Sequence, residues 1–352
     1  MLDTHMTSKH INFFRAPEAA KLLWCSPPVA AREYPEPACV AGRGLPRFTR
    51  VPMKYHQLKA FVTVADEGSI RAAARRLNVS PAALTKAVKE LEIALGVSLV
   101  VRTARGVQLT AFGQQLQVRA RLIVAEMQRA RDDIEQAQGA MTGSVAAAIT
   151  PAAAVTILPD AFRAFRRRFP VARVNLIEGF PGVALPRLHD GSLDFAVAVV
   201  VPELLAAEFD HAELYASRSL IVARKEHPLA SATSLAELVD ADWLMNPSPE
   251  SSTQVLFNSF VAYGLPLPQR IVECPSFGLA HSLMTGCDLI ASMPEQLLQG
   301  EWARDRLTVL PIRERLPAVS VQVVTRRDSP LTPAAAMLLD CLRDSARRKG
   351  LR

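Results

Sequence analysis

The sequence predicts a multidomain chain with an all-α N-terminal domain that ends in a β-hairpin, a long linker helix and a two-lobed α/β C-terminal domain. Three observations lead to this fold class. Two short helical patterns separated by a three-residue turn occupy 70–92, and apolar residues repeat at heptad spacing over 116–137. After residue 143, β-prone runs alternate with helical patterns, which indicates an α/β domain.

The first 52 residues do not resemble a domain. Their prolines interrupt every candidate helix, and their short apolar runs lack the layout of a secretory signal. A helical pattern begins directly after Met53. We therefore expect 1–52 to be either a disordered extension or the product of a start assigned too far upstream.

The segment 53–110 contains a helix-turn-helix pattern. After a first helix at 55–67, an alanine-rich helix at 70–77 is followed by a second short helix, for which Ser80 can serve as the N-cap and Pro81 as the first residue. Thr85 and Lys86 fall on the face opposite the apolar residues of that helix. The pattern is typical of a recognition helix, although an ordinary helical hairpin with a solvated basic face would share it.

A basic hairpin follows the recognition helix. Two β-prone runs, 99–102 and 107–110, flank a turn in which Gly106 can supply a positive φ. Such a hairpin is a wing that can contact phosphates or enter the minor groove. Residues 53–110 carry nine Lys or Arg and four Asp or Glu, whereas the net charge of 111–352 is −1. The concentration of positive charge on this module indicates a polyanionic partner.

At these positions the sequence resembles the LysR-type transcriptional regulators, from about Met53 to nearly the C-terminus. The family usually has Gln-Pro after the capping serine, whereas this chain has Pro81 and Ala82, so a common base-contacting amide is missing. The resemblance rests on Gly68, Ser69, 72–77, Val79, Ser80, Leu84, Leu91, Glu92, 95–97, Leu99, Arg102, Thr103, 105–107, Leu109 and Thr110.

The resemblance implies a sequence-specific, double-stranded-DNA-binding regulator of the bacterial cytoplasm that is controlled by a small-molecule effector. It also implies a homodimer or homotetramer and contact with RNA polymerase. From the helix-turn-helix and the wing we expect ten residues to contact operator DNA: Ser69, Ser80, Pro81, Ala82, Thr85, Lys86, Lys89, Arg102, Thr103 and Arg105.

Residues 111–142 are predicted to form a linker and dimerisation helix followed by a hinge. The helix extends from Thr110 to about Gln138, and Gly139 and Gly143 loosen the chain beyond it. A heptad seam is not satisfied by one helix, which favours a dimer over a helix packed on its own domain. The expected dimer contacts are Leu116, Ile123, Met127 and Ile134.

The segment 143–346 is predicted to be the effector-binding domain, with largely parallel sheets. The order of its elements resembles the type 2 periplasmic-binding-protein-like domain of the same family, including the sequence HPLA at 227–230. One lobe is expected at about 143–216 and 325–345, and the other at about 219–318. A capped helix is expected to start at Ser234.

The effector site is predicted from the architecture. In α/β folds, ligands bind beyond the C-terminal ends of strands, where helix N-termini offer free N–H groups. Hydroxyls, aromatic rings and the absence of an obvious buried cation favour a small organic anion, aromatic acids included. The candidate residues are Thr150, Ala152, Phe180, Ser219, Asn246, Ser276 and Phe277.

Other functional classes receive little support from the sequence. It contains none of the common phosphate-binding, hydrolase or metalloprotease motifs, so we expect neither an enzyme nor a metal or cofactor site. It has no apolar run long enough to span a membrane. Two alternatives stay open: an exported solute-binding protein, and a DNA-binding protein that senses oxidation through Cys274 and Cys287.

Overall fold

The computed structural model describes residues 52–104, 106–246, 252–298 and 300–351. The predicted extension at 1–52, apart from Pro52, lies outside the described residues, and so does the predicted DNA contact Arg105. No helix within the described ranges is long and apolar enough to cross a membrane.

Three helices and a hairpin form the N-terminal module. Helices α2 and α3 begin at serine caps: Ser69 Oγ accepts a hydrogen bond from Ala72 N at 3.4 Å, and Ser80 Oγ accepts one from Ala83 N at 3.1 Å. The two strands of the hairpin are antiparallel. The elements are α1 (Tyr55–Glu67), α2 (Ile70–Leu77), α3 (Pro81–Leu95), β1 (Val100–Thr103) and β2 (Gly106–Leu109).

Small side chains let the helices of this module approach each other closely. Ala60 of α1 and Ala73 and Ala74 of α2 are all buried, and they share one core with Leu84 and Val88 of α3. Alanine methyl groups fill little space, so three helix backbones can meet around this core. The position of α3 is therefore fixed by α1 and α2.

The hairpin is attached to the turn between α1 and α2. Val107 N donates a hydrogen bond to the carbonyl oxygen of Gly68 at 2.8 Å. Gly106 has φ +124°, and a Cβ at that position would lie 2.5 Å from the same oxygen. The close approach of the two backbones therefore requires glycine at 106.

A single helix of 27 residues, α4 (Ala111–Ala137), connects this module to the rest of the chain. Thr110 caps it, with Oγ1 accepting a hydrogen bond from Gly113 N at 3.0 Å. At 1.5 Å per residue the helix is about 40 Å long. Its first turns pack on the N-terminal module, where Ala120 is fully buried.

The first lobe contains a five-stranded sheet with the strand order β4-β3-β5-β12-β6. Its core lies between this sheet and helices α6 and α12, and it includes the buried rings of Phe165, Phe195 and Tyr215. The elements of the lobe are β3 (Ser144–Ile149), α5 (Pro151–Thr156), α6 (Leu158–Arg168), β4 (Arg173–Glu178), α7 (Pro181–His189), β5 (Phe195–Val199), β6 (Phe209–Ser217), β12 (Val319–Arg326) and α12 (Pro333–Arg348).

The second lobe contains another five-stranded sheet, with the strand order β11-β7-β10-β8-β9. Trp243 and Phe260 pack edge to face in its core, with ring centroids 5.7 Å apart. The elements of the lobe are β7 (Ser219–Arg224), β8 (Asp242–Met245), α8 (Ser252–Ala262), β9 (Ile271–Glu273), α9 (Phe277–Gly286), β10 (Leu289–Pro294), α10 (Glu295–Leu298), α11 (Glu301–Arg304) and β11 (Leu307–Val309).

The prediction of largely parallel sheets is wrong, because both sheets are mixed. In the first lobe, β3 is parallel to β4 and β5, whereas β12 is antiparallel to β5 and β6. In the second, β8 is parallel to β9 and β10, whereas β7 is antiparallel to β10 and β11. In each sheet, every antiparallel pair includes the strand by which the chain enters that lobe from the other one. This strand is β12 in the first lobe and β7 in the second.

Two further expectations differ from the structure. The return to the first lobe begins with β12 at Val319 rather than at about 325, since the whole strand pairs with β5 and β6. At Ser234 the hydroxyl does accept a hydrogen bond from Ala236 N, but the element that follows is one short 3₁₀ turn, Leu235–Leu238. The next residues lead directly into β8, which leaves no room for an α-helix.

We expect Gly106→Ala to destabilise the N-terminal module, because the new methyl group would meet the carbonyl oxygen of Gly68. Gly96→Ala is the matched control, since Gly96 has φ +69° but nothing within 4 Å of the Cβ position. Both variants carry backbone strain of about 1–3 kcal/mol, and only Gly106→Ala adds the clash. Thermal unfolding of the full chain measures both, and equal losses of stability would contradict the close approach.

Candidate nucleic-acid interface and ligand cavity

Helix α3, the start of α2 and the hairpin enclose an open groove on the N-terminal module. Eight of the ten predicted DNA-contacting residues line it. Ser80 is absent from the lining and instead caps α3, and Arg105 lies outside the described residues. The eight are Ser69, Pro81, Ala82, Thr85, Lys86, Lys89, Arg102 and Thr103.

The basic side chains of the groove are largely exposed. The side chain of Lys86 is 79% exposed and that of Lys89 67%, and their ion pairs with Glu90 and Glu92 are long, at 4.0 and 3.7 Å. The Lys86–Glu90 pair, exposed on both sides, contributes about 0–1 kcal/mol, so this ammonium group can exchange its partner for a phosphate. Arg102 Nη2 donates to Thr85 Oγ1 at 3.5 Å, which joins the hairpin to α3.

Arg71 also lines this groove, and sequence reasoning missed it. It is the second residue of α2, two positions after the cap Ser69. The available signal was its position in the first turn of α2, next to a predicted phosphate contact.

Helix α4 exposes three apolar side chains of the predicted seam. Ile123 is 41% exposed, Met127 40% and Ile134 61%. Leu116 is half-buried and packs against the core of the N-terminal module, so the free part of the seam starts beyond it. Large apolar side chains exposed along one helix are typical of a helix–helix contact.

A cavity of about 110 Å³ lies between the two lobes. The first lobe contributes the residue before α5, the start of α7 and the end of β5. The second contributes the ends of β8 and β10 and parts of α8 and α9. The lining consists of Thr150, Pro151, Gly179, Phe180, Pro181, Val199, Leu244, Met245, Asn246, Thr253, Leu256, Cys274, Phe277, Ala280, Ala291, Ser292, Met293, Pro294 and Leu297.

The described residues of the lining are mainly apolar, and none of them has a charged side chain. Its polar groups include the hydroxyl of Thr150, which is only 6% exposed, and the amide of Asn246. Thr253 Oγ1 donates to the backbone oxygen of Asn246 at 2.9 Å, which holds Asn246 against the start of α8. Sequence reasoning missed Thr253, Cys274 and Ser292.

Four of the seven predicted effector residues line this cavity: Thr150, Phe180, Asn246 and Phe277. The other three do not. Ala152 is fully buried in a core shared with second-lobe residues. Ser219 starts β7 and lines a separate groove formed with 309–316. Ser276 is the residue before α9 and is not part of the lining.

Ser276 and Thr150, both predicted to contact the effector, therefore do not share the lining of this cavity. The start of α9 already has an acceptor, because Phe277 N donates to Glu178 Oε2 at 3.0 Å. Glu178 ends β4 of the first lobe. This hydrogen bond thus connects the lobes, and it uses an N–H group that a ligand would otherwise find free.

Metal chemistry finds no support in the part of the chain that the structure describes. No group of three or more His, Cys, Asp or Glu side chains is placed there to hold a metal ion. Cys274 is buried and Cys287 is exposed, and both are free thiols.

Comparisons with known proteins identify both parts of the chain. Residues 55–114 match the family described as "Bacterial regulatory helix-turn-helix protein, lysR family". Residues 138–347, more than half of the chain, match "LysR substrate binding domain".

Individual relatives match over most of their length. The regulator GbpR of Azospirillum brasilense is 26% identical over 86% of this chain and 89% of its own, and PcaQ of Agrobacterium fabrum is 28% identical over 84% and 95%. A solved structure of full-length CbnR with its target DNA has a TM-score of 0.59 at 24% identity, covering 84% of this chain and 100% of that chain.

The predicted fold class is confirmed by these findings. An N-terminal helix-turn-helix module, a helical linker and a two-sheet α/β domain occur here in the order found in full-length CbnR. The relatives of this chain are transcriptional regulators rather than enzymes. The chain belongs to the LysR family of bacterial DNA-binding transcriptional regulators with an effector-binding domain.

Proposed function

We propose that this regulator binds operator DNA as a homodimer, or as a homotetramer built from two such dimers, and that a small organic acid held between the lobes controls it. The observation that carries this proposal is the cavity between the lobes, because it combines an apolar lining with a few hydroxyl and amide groups.

The proposed DNA contact is the groove of the N-terminal module. Thr85 would face the bases from α3, while Ser69, Lys86 and Arg102 would hold phosphates. Phosphate contacts set the register and base contacts set the specificity. We propose Arg71 as an additional contact. The other proposed contacts are the ten residues predicted from the sequence: Ser69, Ser80, Pro81, Ala82, Thr85, Lys86, Lys89, Arg102, Thr103 and Arg105.

The proposed dimer contact is the exposed apolar face of α4. Ile123, Met127 and Ile134 occur at spacings of four and seven residues, so they lie on one side of the helix. Two such helices packed side by side would remove these side chains from water, with Leu116 at the edge of the contact.

The proposed effector is small and carries a carboxylate. A cavity of about 110 Å³ is smaller than the roughly 150 Å³ cavity that binds benzene, so a short-chain acid suits it better than an acid with an aromatic ring. The apolar lining would hold the body of the acid. Thr150 and Asn246 could donate to its oxygens, helped by the N-terminus of α7, which begins at the cavity with Phe180 as its N-cap.

Two further proposals follow from family membership rather than from the geometry. A regulator that acts at bacterial promoters works where the chromosome is, so we propose a cytoplasmic location. We also propose contact with RNA polymerase at the promoter, with the sign of regulation set by where the operator lies.

We expect the full chain to bind a double-stranded fragment recovered by selection from random DNA, and Lys86→Ala to bind it more weakly. Removing one phosphate contact should reduce the slope of log K against log salt by about one. Lys225→Ala is the control, because that lysine is exposed in the second lobe and far along the chain from the groove. Unchanged affinity and slope for Lys86→Ala would refute its placement at DNA.

We expect Ile123→Asp to dissociate the dimer, because the contact would then bury a carboxylate without a partner at a cost of several kcal/mol. Gln115→Asp places the same charge on an exposed residue of α4 outside the seam and should leave the dimer intact. Sedimentation measures both variants. A dimeric Ile123→Asp protein would show that the contact lies elsewhere.

We expect Thr150→Val to lose about tenfold to a hundredfold in affinity for the acid that the wild type binds, the equivalent of about 1.5–3 kcal/mol for one charge-assisted hydrogen bond. Ser276→Ala removes a hydroxyl at a position outside the lining and should bind as the wild type does. Calorimetric titration with a panel of aliphatic and aromatic acids measures both. Equal affinity of all three proteins would place the site elsewhere.

A further inference from the structure

One arginine of the linker helix contacts both the DNA-binding module and the first lobe. Arg121 donates from Nη2 to Asp66 Oδ1, near the end of α1, and from Nη1 to Asp190 Oδ2 at 2.8 Å, directly after α7. The three side chains are between 10% and 31% exposed. Partial burial protects these pairs from the salt screening that weakens surface pairs.

Arginine is the side chain suited to this position. Its planar guanidinium presents several N–H donors in fixed directions, so it can bind two carboxylates at once, whereas the ammonium of lysine is a point charge. Burial alone would lower the pKa of Arg121, but hydrogen bonds and charge attraction from Asp66 and Asp190 raise it. The positive charge of this contact is therefore permanent.

A second arginine of α4 holds the same loop of the first lobe. Arg129, only 12% exposed, donates from Nε to Asp194 Oδ1 at 3.0 Å. Its Nη2 donates to the carbonyl oxygens of Gly191 and Leu193, at 2.8 and 3.2 Å. The loop 190–194 is thus fixed on the linker helix at both ends.

This loop is connected to the cavity by one short helix. Phe180 and Pro181, at the N-terminal end of α7, line the cavity, and Asp190 is the C-terminal cap of the same helix. The helix has nine residues and a length of about 14 Å. A displacement of its first turn would therefore reach Asp190 as a displacement of the whole helix.

On the other side, Asp66 is connected to the hairpin. It lies two residues before Gly68, which closes α1 through a hydrogen bond from its N–H to Val64 O. The carbonyl oxygen of the same glycine accepts the hydrogen bond from Val107 N that attaches the wing. Asp66 is therefore close to the point where α1, α2 and the wing meet.

We propose that Arg121 is a positioning residue that couples the state of the effector cavity to the orientation of the DNA-binding module. The proposal rests on the proposed effector function of that cavity. The path runs from the start of α7 to Asp190, through Arg121 to Asp66, and then to the turn that holds the wing. Each step is a contact or a rigid helix, and the two carboxylate contacts are its weakest points.

The test is a double-mutant cycle on the full chain without DNA or effector. Asp190→Asn keeps the shape of the side chain and its Oδ1 acceptor for Ser192 N, so the protein should fold. We expect it to speed amide hydrogen exchange in 62–68 of α1 by about two- to fivefold, as expected when one partly exposed ion pair is lost. In an Arg121→Gln background the same substitution should have no further effect.

Arg119→Gln is the matched control. It removes the same charge two residues away on α4, where the side chain is exposed and has no ion pair among the described residues. It should leave exchange in 62–68 unchanged. If Asp190→Asn does not alter that exchange, or alters it equally with and without Arg121, the coupling role is refuted.

The four proteins of the cycle are the wild type, Asp190→Asn, Arg121→Gln and the double variant. Their binding to the DNA fragment selected with the wild type is then measured. We expect Asp190→Asn, a change outside the groove lining, to alter affinity by about fivefold or more, and this effect to vanish in the Arg121→Gln background. Coupled exchange in a protein that selects no DNA would refute the proposed function and leave the coupling standing. Normal DNA binding without coupled exchange would refute the coupling and leave the proposed function standing.

Discussion

The arrangement of the domains depends on helix α4, which has two chemically different faces. One face carries Arg121 and Arg129, which bind carboxylates and carbonyl oxygens of the first lobe. The opposite face carries Ile123 and Met127, which are exposed. Because both faces belong to one rigid helix, a second subunit packed on the apolar face would also fix the direction in which each effector domain lies.

Charge is kept at the edge of the cavity between the lobes. None of the lining residues that the structure describes is ionised, while Glu178 binds the first N–H of α9 just beside the cavity. An anion entering such a space would exchange water for dipoles and hydroxyls rather than for a counter-charge. Selectivity would then depend on shape and on the number of donors, since a fixed cation would attract any acid.

The sequence was sufficient for features that depend on local pattern. The serine caps, the groove residues of α3 and four residues of the cavity lining, Thr150 among them, were predicted from spacing and strand ends. Strand β6 was missed because it is an edge strand whose exposed residues include Asp210 and Glu213, so no apolar run marks it. The contact between Asp66 and Asp190 through Arg121 joins residues more than 50 positions apart, which no local pattern records.

The attachment of Val107 to Gly68 has a consequence for how the regulator adapts to different promoters. Since this bond attaches the wing to the turn between α1 and α2, and the same two helices fix the position of α3, the wing and the recognition helix move as a single block on the duplex. A half-site with altered spacing between its major-groove bases and its flanking minor groove would not be read by bending the module. In the proposed dimer, variation among promoters would instead be absorbed between the two half-sites, by curvature of the DNA that joins them.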